Sequence, residues 1–171
     1  MTLKDKHVAV LLEDLYEDTE FWYPFLRMKE EGATVTAIAP EVTTYHGKHG
    51  LPAKADMAIG DANVNDFDAV IIPGGYSPDH MRRHPKMVSF VKNMHDDGKI
   101  VAAICHAGWI LASAGIVRGK NVTSFFSIRD DLVNAGAEWQ DDEVVIDGNI
   151  ITSRMPTDLP VFCRTIIGKL A

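Results

Sequence analysis

The sequence has 171 residues, is 46% hydrophobic and 24% charged, and carries a formal net charge of -7 at pH 7. This length and apolar content suffice for one buried core, so we expect a single domain over residues 1–171. The acidic balance, without a long run of like charges, disfavours nucleic acid and anionic membranes as partners, and a small neutral or peptide-like substrate fits better.

The sequence also indicates a cellular location. The first residues lack the apolar stretch of a secretion signal, and no apolar run approaches the length of a membrane span. Only two cysteines are present, Cys105 and Cys163, which favours reduced thiols over a disulfide framework. We therefore expect a cytoplasmic protein, with Cys163 packed in the core at an apolar position of a terminal helix.

The first third of the chain follows a strand–helix–strand pattern. Residues 7–12 form an apolar run typical of a buried parallel strand, and apolar residues at helical spacing follow over 17–31. Pro24 lies inside that helix and is expected to kink it. Residues 34–39 predict the second strand, and residues 43–60 predict short irregular strands or a hairpin away from the main sheet.

The rest of the chain continues the alternation. A strand over 67–72 ends at Pro73-Gly74-Gly75, helices are predicted from Ser77 and over 85–97, and a strand over 100–104 leads into a helix over 106–114. A short strand over 121–123, a helix over 127–134, a hairpin over 144–152 with a three-residue turn at 147–149, and a helix over 158–170 complete the pattern. Such alternation predicts an α/β three-layer domain with a mostly parallel sheet.

Residues 101–108 form the most informative stretch, because an apolar strand runs directly into Cys105, His106 and small residues that open a helix. This order predicts a cysteine nucleophile elbow, in which a sharp turn holds the thiol clear of both elements. The first N–H groups of the helix should then lower the pKa of the thiol toward neutrality. The alternative is a buried core cysteine at a strand end.

Three features follow the carboxyl ends of predicted parallel strands, and such ends meet at one edge of the sheet. They are Glu17, Gly74-Gly75 and Cys105-His106. Together they could supply a nucleophile, an acid/base residue and an oxyanion hole from the N–H groups of Gly75 and His106. Acyl transfer and carbonyl addition both use these groups. Alternatively, Glu17 is a solvated charge at a helix N-terminus.

Cofactor and metal sites are not predicted. The remaining histidines show no regular metal-ligand spacing, and two cysteines are too few for a thiolate cluster. Neither a G-x-G-x-x-G segment nor a P-loop is present, so nucleotide binding has little support.

Five blocks of sequence, in order along nearly the whole chain, resemble the PfpI intracellular-peptidase family, which shares a superfamily with DJ-1 and the class I glutamine amidotransferases. The blocks are residues 15–20 with Tyr23-Pro24, 72–75 with Pro78-Asp79, 103–108, 130–137, and 153–156 with 158–160. The resemblance implies a flavodoxin-like sandwich with Cys105 as nucleophile and His106 as its neighbouring base. It further implies that Glu17 hydrogen-bonds the sulfur, and we expect Glu17 to be protonated with a raised pKa, since it could not comfortably be ionised beside a thiolate.

Two positions depart from the family pattern. In peptidase-like members, a glutamate from a neighbouring subunit completes the site, and the matching position here holds Asp79, which is one methylene shorter. Phe125-Phe126 stands where relatives often carry tyrosine and proline. The resemblance therefore implies a homodimer or larger homo-oligomer with a shared site, in which Asp79 approaches His106 of a partner.

The family has been assigned proteolysis, glyoxalase activity without glutathione, and removal of methylglyoxal adducts from amines, thiols or nucleotides. We expect chemistry on small reactive carbonyls or their adducts, because no extended peptide-binding groove is evident. A cysteine peptidase is the first alternative. The second is a non-enzymatic redox-sensing or chaperone-like stress protein whose cysteine is oxidised but not turned over.

Overall fold

A central seven-stranded sheet organises the computed structural model, which describes residues 2–171. The strands are β1 (His7–Leu11), β2 (Thr34–Ala39), β3 (Thr44–His46), β4 (Pro52–Lys54), β5 (Met57–Ala58), β6 (Ala69–Ile72), β7 (Ile100–Ile104), β8 (Asn121–Val122), β9 (Glu138–Trp139), β10 (Val144–Asp147) and β11 (Ile150–Ser153). The helices are α1 (Asp18–Glu30), α2 (Ser77–Met81), α3 (Pro85–Asp96), α4 (Gly108–Ala114), α5 (Arg129–Asn134) and α6 (Leu159–Leu170).

The strand order in the main sheet is β10-β11-β7-β6-β1-β2-β5. All neighbours pair in parallel except β10 and β11, which form an antiparallel hairpin at one edge. Because β1, β6 and β7 are adjacent and parallel, the loops that follow them leave the same edge of the sheet. This arrangement confirms the predicted flavodoxin-like α/β fold.

Helices cover both faces of the sheet, which explains why its strands are continuously apolar. Successive side chains of a strand point to opposite faces. In β1, Val8 and Val10 pack in a cluster with residues of α1 and α6, whereas Ala9 and Leu11 pack in a second cluster with residues of α3 and α4. The result is the predicted three-layer sandwich, with all of β1 after His7 buried.

Several local predictions needed correction. Residues 44–46 and 52–54 pair as a separate hairpin, as expected, but Met57–Ala58 adds a short edge strand to the main sheet beside β2. Residues 138–139 pair with β8. They were not predicted as a strand, because two residues are too few to display a period. The turn between β10 and β11 has two residues and not three, because Asp147 pairs with Ile150. Within residues 2–171, no helix has the length and apolar character that crossing a membrane requires.

Candidate active site

Cys105 follows directly after β7 and adopts a left-handed backbone conformation, with φ of 62°. Non-glycine residues rarely do so, and strain of this kind persists only where the surroundings enforce it. A single 3-10 turn over Cys105–Ala107 then leads into α4. The strand, turn and helix form the predicted elbow, with the Cys105 side chain almost fully buried.

Gly75 joins the loops that follow β1 and β6. Its φ is 73°, and a Cβ at this position would come within 2.5 Å of Leu15 O and Glu17 N. The Glu17 N–H donates to Gly74 O at 3.2 Å, and the Tyr76 N–H donates to Leu15 O at 2.9 Å. With the loops held this closely, the N–H groups of Gly75 and His106 lie near enough to the Cys105 sulfur to lower its pKa. These are the two donors predicted for an oxyanion hole.

Glu20, and not Glu17, lies beside the sulfur. The Glu20 side chain is fully buried in the first turn of α1, and its Oε2 accepts the Gly74 N–H at 2.8 Å. Its carboxyl group lies close enough to the Cys105 thiol for each group to influence the pKa of the other, and Oε1 has no hydrogen-bond partner among residues 2–171. Glu17 precedes the helix and turns toward the loop between β3 and β4. The contact assigned to Glu17 from the sequence is therefore corrected to Glu20.

The electrostatics of the thiol also differ from expectation. Burial, together with the nearby Glu20 carboxylate, raises the pKa of Cys105 to about 12, against the lowering effect of the Gly75 and His106 N–H groups. The expected low pKa is corrected, because desolvation outweighs what a short helix end and two donors supply. Burial likewise raises the pKa of Glu20 to about 8. At neutral pH the resting pair is a thiol beside a protonated carboxyl group.

His106 lies directly beside the thiol. Its Nδ1 lies 3.2 Å from Cys105 Sγ, and its Nε2 lies 3.2 Å from Ser127 Oγ. The ring stacks on Phe125, with centroids 5.2 Å apart, and meets the edge of Trp109. Burial lowers the pKa of His106, and the positive charge of Lys48 lowers it further. The imidazole is therefore neutral at pH 7 and has a free nitrogen for a proton.

Cys105 opens into a cavity of about 460 Å³. The cavity is lined by Glu17, Glu20, Lys48, Gly75, Tyr76, Cys105, His106, Phe125 and Pro156. Lys48 was not singled out from the sequence. Its Nζ lies 2.5 Å from Glu17 Oε2, and its side chain is 45% exposed. The lining of the cavity thus combines an ion pair with aromatic rings and a proline.

Asp18 fixes the loop that carries Lys48. Its carboxylate accepts the N–H groups of His49 and Leu51, each at 2.9 Å, and a Cβ on Gly47 would collide with it. Glu17, Asp18 and His49 offer ligand atoms within 4.8 Å of one another, as a cation site would. The Asp18 oxygens, however, already accept backbone donors, and Glu17 pairs with Lys48. The contacts of these three residues therefore hold the loop between β3 and β4 in place.

Asp79 lies in α2, outside the lining of this cavity. It forms an ion pair with Arg83 one helical turn later. Phe125 lines the cavity, and its N–H donates to Cys105 O at 3.2 Å, whereas the Phe126 side chain is 68% exposed. The structure thus brings Cys105, His106, Gly75 and Glu17 to one cavity and leaves Asp79 outside it.

Comparisons with known proteins agree with this geometry. The sequence pattern of the DJ-1/PfpI family matches residues 6–169. The chain belongs to the DJ-1/PfpI family. A deglycase of Pyrococcus horikoshii is 44% identical over 95% of this chain and 98% of its own length, and the putative cysteine protease YraA of Bacillus subtilis is 44% identical over 96% and 98%. A solved two-domain protein of Anabaena variabilis, with DJ-1/ThiJ/PfpI-like and ferritin-like domains, matches with a TM-score of 0.96 and 43% identity, covering 97% of this chain and 48% of that one.

Membership of the DJ-1/PfpI family confirms the resemblance inferred from the five sequence blocks. Among the charged residues of the cavity, Glu20 and Lys48 were missed. Glu20 lies in the first of those blocks, but Glu17 and Glu20 are three residues apart, so helical spacing alone could not tell which one reaches the sulfur. Lys48 lies between glycines in a loop, where no periodicity indicates the direction of a side chain.

Proposed function

We propose that this protein is a cysteine-dependent hydrolase or lyase of small reactive carbonyls, acting on α-oxoaldehydes or on their adducts with amines and thiols. The observation that carries the proposal is the arrangement around Cys105. A thiol lies at the base of a cavity with two N–H donors, a neutral imidazole 3.2 Å away and a protonated carboxyl group beside it. These groups meet the needs of carbonyl addition followed by proton transfer.

The first step forms a carbon–sulfur bond. Sulfur adds to the aldehyde carbon as the thiol proton moves to His106 Nδ1, so a low resting thiol pKa is not required. The aldehyde oxygen gains negative charge, which the N–H groups of Gly75 and His106 stabilise. With an adduct as substrate, sulfur replaces the amine or thiol at the same carbon, and the departing group takes a proton.

The second step moves hydrogen between adjacent carbons. A base removes the hydrogen from the carbon that bears sulfur and returns it to the neighbouring ketone carbon, which gives a thioester of a 2-hydroxy acid. Glu20 suits this role in its ionised form, which is the minority at neutral pH because its pKa is about 8, and which accepts the proton and then returns it. Water then cleaves the carbon–sulfur bond, releasing the hydroxy acid and restoring the thiol.

The size of the cavity favours this chemistry over peptide hydrolysis. A space of about 460 Å³, bounded by Tyr76, Phe125 and Pro156, suits a small molecule or one modified side chain. Cysteine peptidase activity remains the alternative, because a relative from Bacillus subtilis is named a putative cysteine protease.

A parallel assay separates the two functions. The purified protein is given methylglyoxal, a methylglyoxal adduct of an N-acetyl amino acid and a fluorogenic peptide, and the release of hydroxy acid, free amine and fluorophore is followed. We expect turnover of the first two substrates and negligible cleavage of the peptide. A higher kcat/KM for the peptide than for the carbonyl substrates would favour peptidase function. Suppression of aggregation without turnover of any substrate would favour chaperone function.

A further inference from the structure

Lys48 is the one lysine or arginine among the described residues that line the cavity of Cys105. Hydrogen bonds fix the loop between β3 and β4, which carries Lys48. Besides the two bonds to Asp18, the Lys48 N–H donates to Tyr16 O at 2.9 Å, and the Gly47 N–H donates to Leu51 O at 2.9 Å. The backbone that carries Lys48 is thus held at both ends of the turn, and the Lys48 side chain, which is 45% exposed, lines the cavity and pairs with Glu17.

The charges around Lys48 leave it as the cation of the site. Burial keeps Glu20 protonated and His106 neutral near pH 7, through the raised pKa of the first and the lowered pKa of the second. The hydrogen bond with Glu17 raises the pKa of Lys48, so the amine stays charged and is not a nucleophile. His49 Nε2, 3.7 Å from the other Glu17 oxygen, and the Asp18 carboxylate also face the pair.

Glu17 does not exhaust the binding capacity of Lys48. An ammonium group has three N–H donors, and Glu17 occupies one of them. The Lys48 side chain is 45% exposed, whereas that of Glu17 is 11% exposed, so the two remaining donors of the ammonium group are open to a ligand while Glu17 keeps its partner. An incoming carboxylate can therefore share Lys48 with Glu17.

We propose that Lys48 forms a carboxylate-binding subsite beside Cys105, which selects carbonyl adducts of carboxylate-bearing amines or thiols and holds the hydroxy-acid product. The proposal rests on the function proposed above and names its substrate class. The proposed reaction converts a neutral α-oxoaldehyde into a carboxylate next to Cys105, so negative charge arises in the cavity during each turnover. Lys48 is the cation that meets this charge.

Steady-state kinetics tests the substrate class. The methylglyoxal adduct of N-acetylcysteine carries a carboxylate, and the adduct of N-acetylcysteine amide does not. For the wild-type protein, we expect the KM of the adduct with the carboxylate to be at least about fivefold lower than the KM of the amide adduct. Lys48→Gln should abolish the preference, Lys48→Arg should keep most of it, and Lys54→Gln, at an exposed lysine on β4 outside the cavity, should leave it unchanged. Equal preference in wild type and Lys48→Gln would overturn the subsite.

A second experiment is independent of turnover. Cys105 is alkylated with iodoacetate, which carries a carboxylate, and with neutral iodoacetamide, and the ratio of the two rate constants is compared between variants at one pH. The ratio cancels changes in the thiolate fraction, because both reagents attack the same sulfur. If the carbonyl chemistry fails while this ratio behaves as expected, the proposed function is wrong and the anion subsite stands.

We expect the iodoacetate-to-iodoacetamide ratio to fall about fivefold in Lys48→Gln and to stay near the wild-type value in Lys48→Arg and Lys54→Gln. Glu17→Gln should raise the ratio, since it removes the competing carboxylate. An unchanged ratio in Lys48→Gln, or an equal fall in Lys54→Gln, would overturn the proposal. Failure of both reagents to modify Cys105 even at pH 9 would contradict the open cavity on which it depends.

Discussion

Glu20 Oε2 and Cys105 Cβ converge on Gly74, since each would lie only 2.6 Å from a Cβ at that position. Any side chain there would separate the carboxyl group from the thiol. The glycine therefore allows a fully buried carboxyl group to contact a cysteine on a neighbouring loop. Such a carboxyl group stays protonated well above its ordinary pKa, because burial disfavours its charge.

The raised pKa of Glu20 predicts a pH-dependent stability. The folded protein keeps the Glu20 proton to about pH 8, whereas the unfolded chain releases it near pH 4.5. Folding is therefore favoured by this group below pH 4.5, and that contribution is lost as pH rises to about 8. Glutamine stays neutral throughout and can still accept the Gly74 N–H.

Urea unfolding of wild type and Glu20→Gln from pH 5 to 8.5 measures this effect. Relative to Glu20→Gln, the wild type should lose up to about 4 kcal/mol of unfolding free energy over the window. The difference between the two proteins removes contributions from other titrating groups, including His106. Parallel curves for the two proteins would contradict the raised pKa.

The backbone at Gly75 predicts a contrast with Gly98. Both glycines are left-handed, with φ of 73° and 72°, but a Cβ on Gly75 would strike Leu15 O and Glu17 N, whereas a Cβ on Gly98 would meet nothing within 4 Å. Gly98→Ala should cost about 1 kcal/mol of unfolding free energy, from backbone strain alone. Gly75→Ala should cost about 3 kcal/mol, because the clash is added, and should remove activity. Equal losses in urea unfolding would show that the tight junction of the two loops does not matter.

Much of the fold was predictable from the sequence, because long apolar runs and helical spacing report on local structure. The strand over 34–39 and the strand over 100–104 were predicted with the bounds that the structure has. The convergence of Cys105, His106 and Gly75 followed from the parallel topology. The two site predictions that were wrong, the contact of Glu17 with the sulfur and the low pKa of the thiol, depend on burial in three dimensions. Spacing could not show that Glu20 is enclosed while Glu17 faces a loop, nor that desolvation outweighs the N–H donors at the thiol.

The two cysteines should differ in reactivity through access and not through pKa. Burial raises the pKa of Cys105 and of Cys163 to about 12 each. Cys105 lines the cavity, whereas Cys163 is enclosed in the core cluster that includes α1 and α6. Iodoacetamide should modify Cys105 first, slowly at pH 7 and faster as pH rises, as followed by peptide mass spectrometry. Modification of Cys163 at the same rate would contradict this assignment.

Asp79 predicts a site shared between subunits, a proposal that follows from the family resemblance. In the single chain Asp79 pairs with Arg83 and lies outside the cavity, so any role near His106 requires a partner chain. Asp79→Ala should lower kcat at least about tenfold if the carboxylate acts on the imidazole. Arg83→Ala is the matched control, because it breaks the same ion pair and keeps the carboxylate.

Complementation tests the shared site directly. Cys105→Ala and Asp79→Ala proteins are unfolded, mixed and refolded together. In an equal mixture half of the dimers are mixed, and each contains one intact site, so about a quarter of wild-type activity should return. A monomeric mass at micromolar concentration, or no recovery after demonstrated mixing, would contradict the shared site.

If the Cys105 thiol performs the proposed carbonyl chemistry, the conversion of methylglyoxal to lactate depends on that thiol. The matched variants are Cys105→Ser, which keeps the shape of the elbow but weakens the nucleophile, and Cys163→Ala, which removes the other thiol. Circular dichroism confirms that each variant is folded before lactate is measured. We predict that lactate formation falls at least about a hundredfold in Cys105→Ser and persists in Cys163→Ala. Undiminished lactate formation in Cys105→Ser would contradict the account.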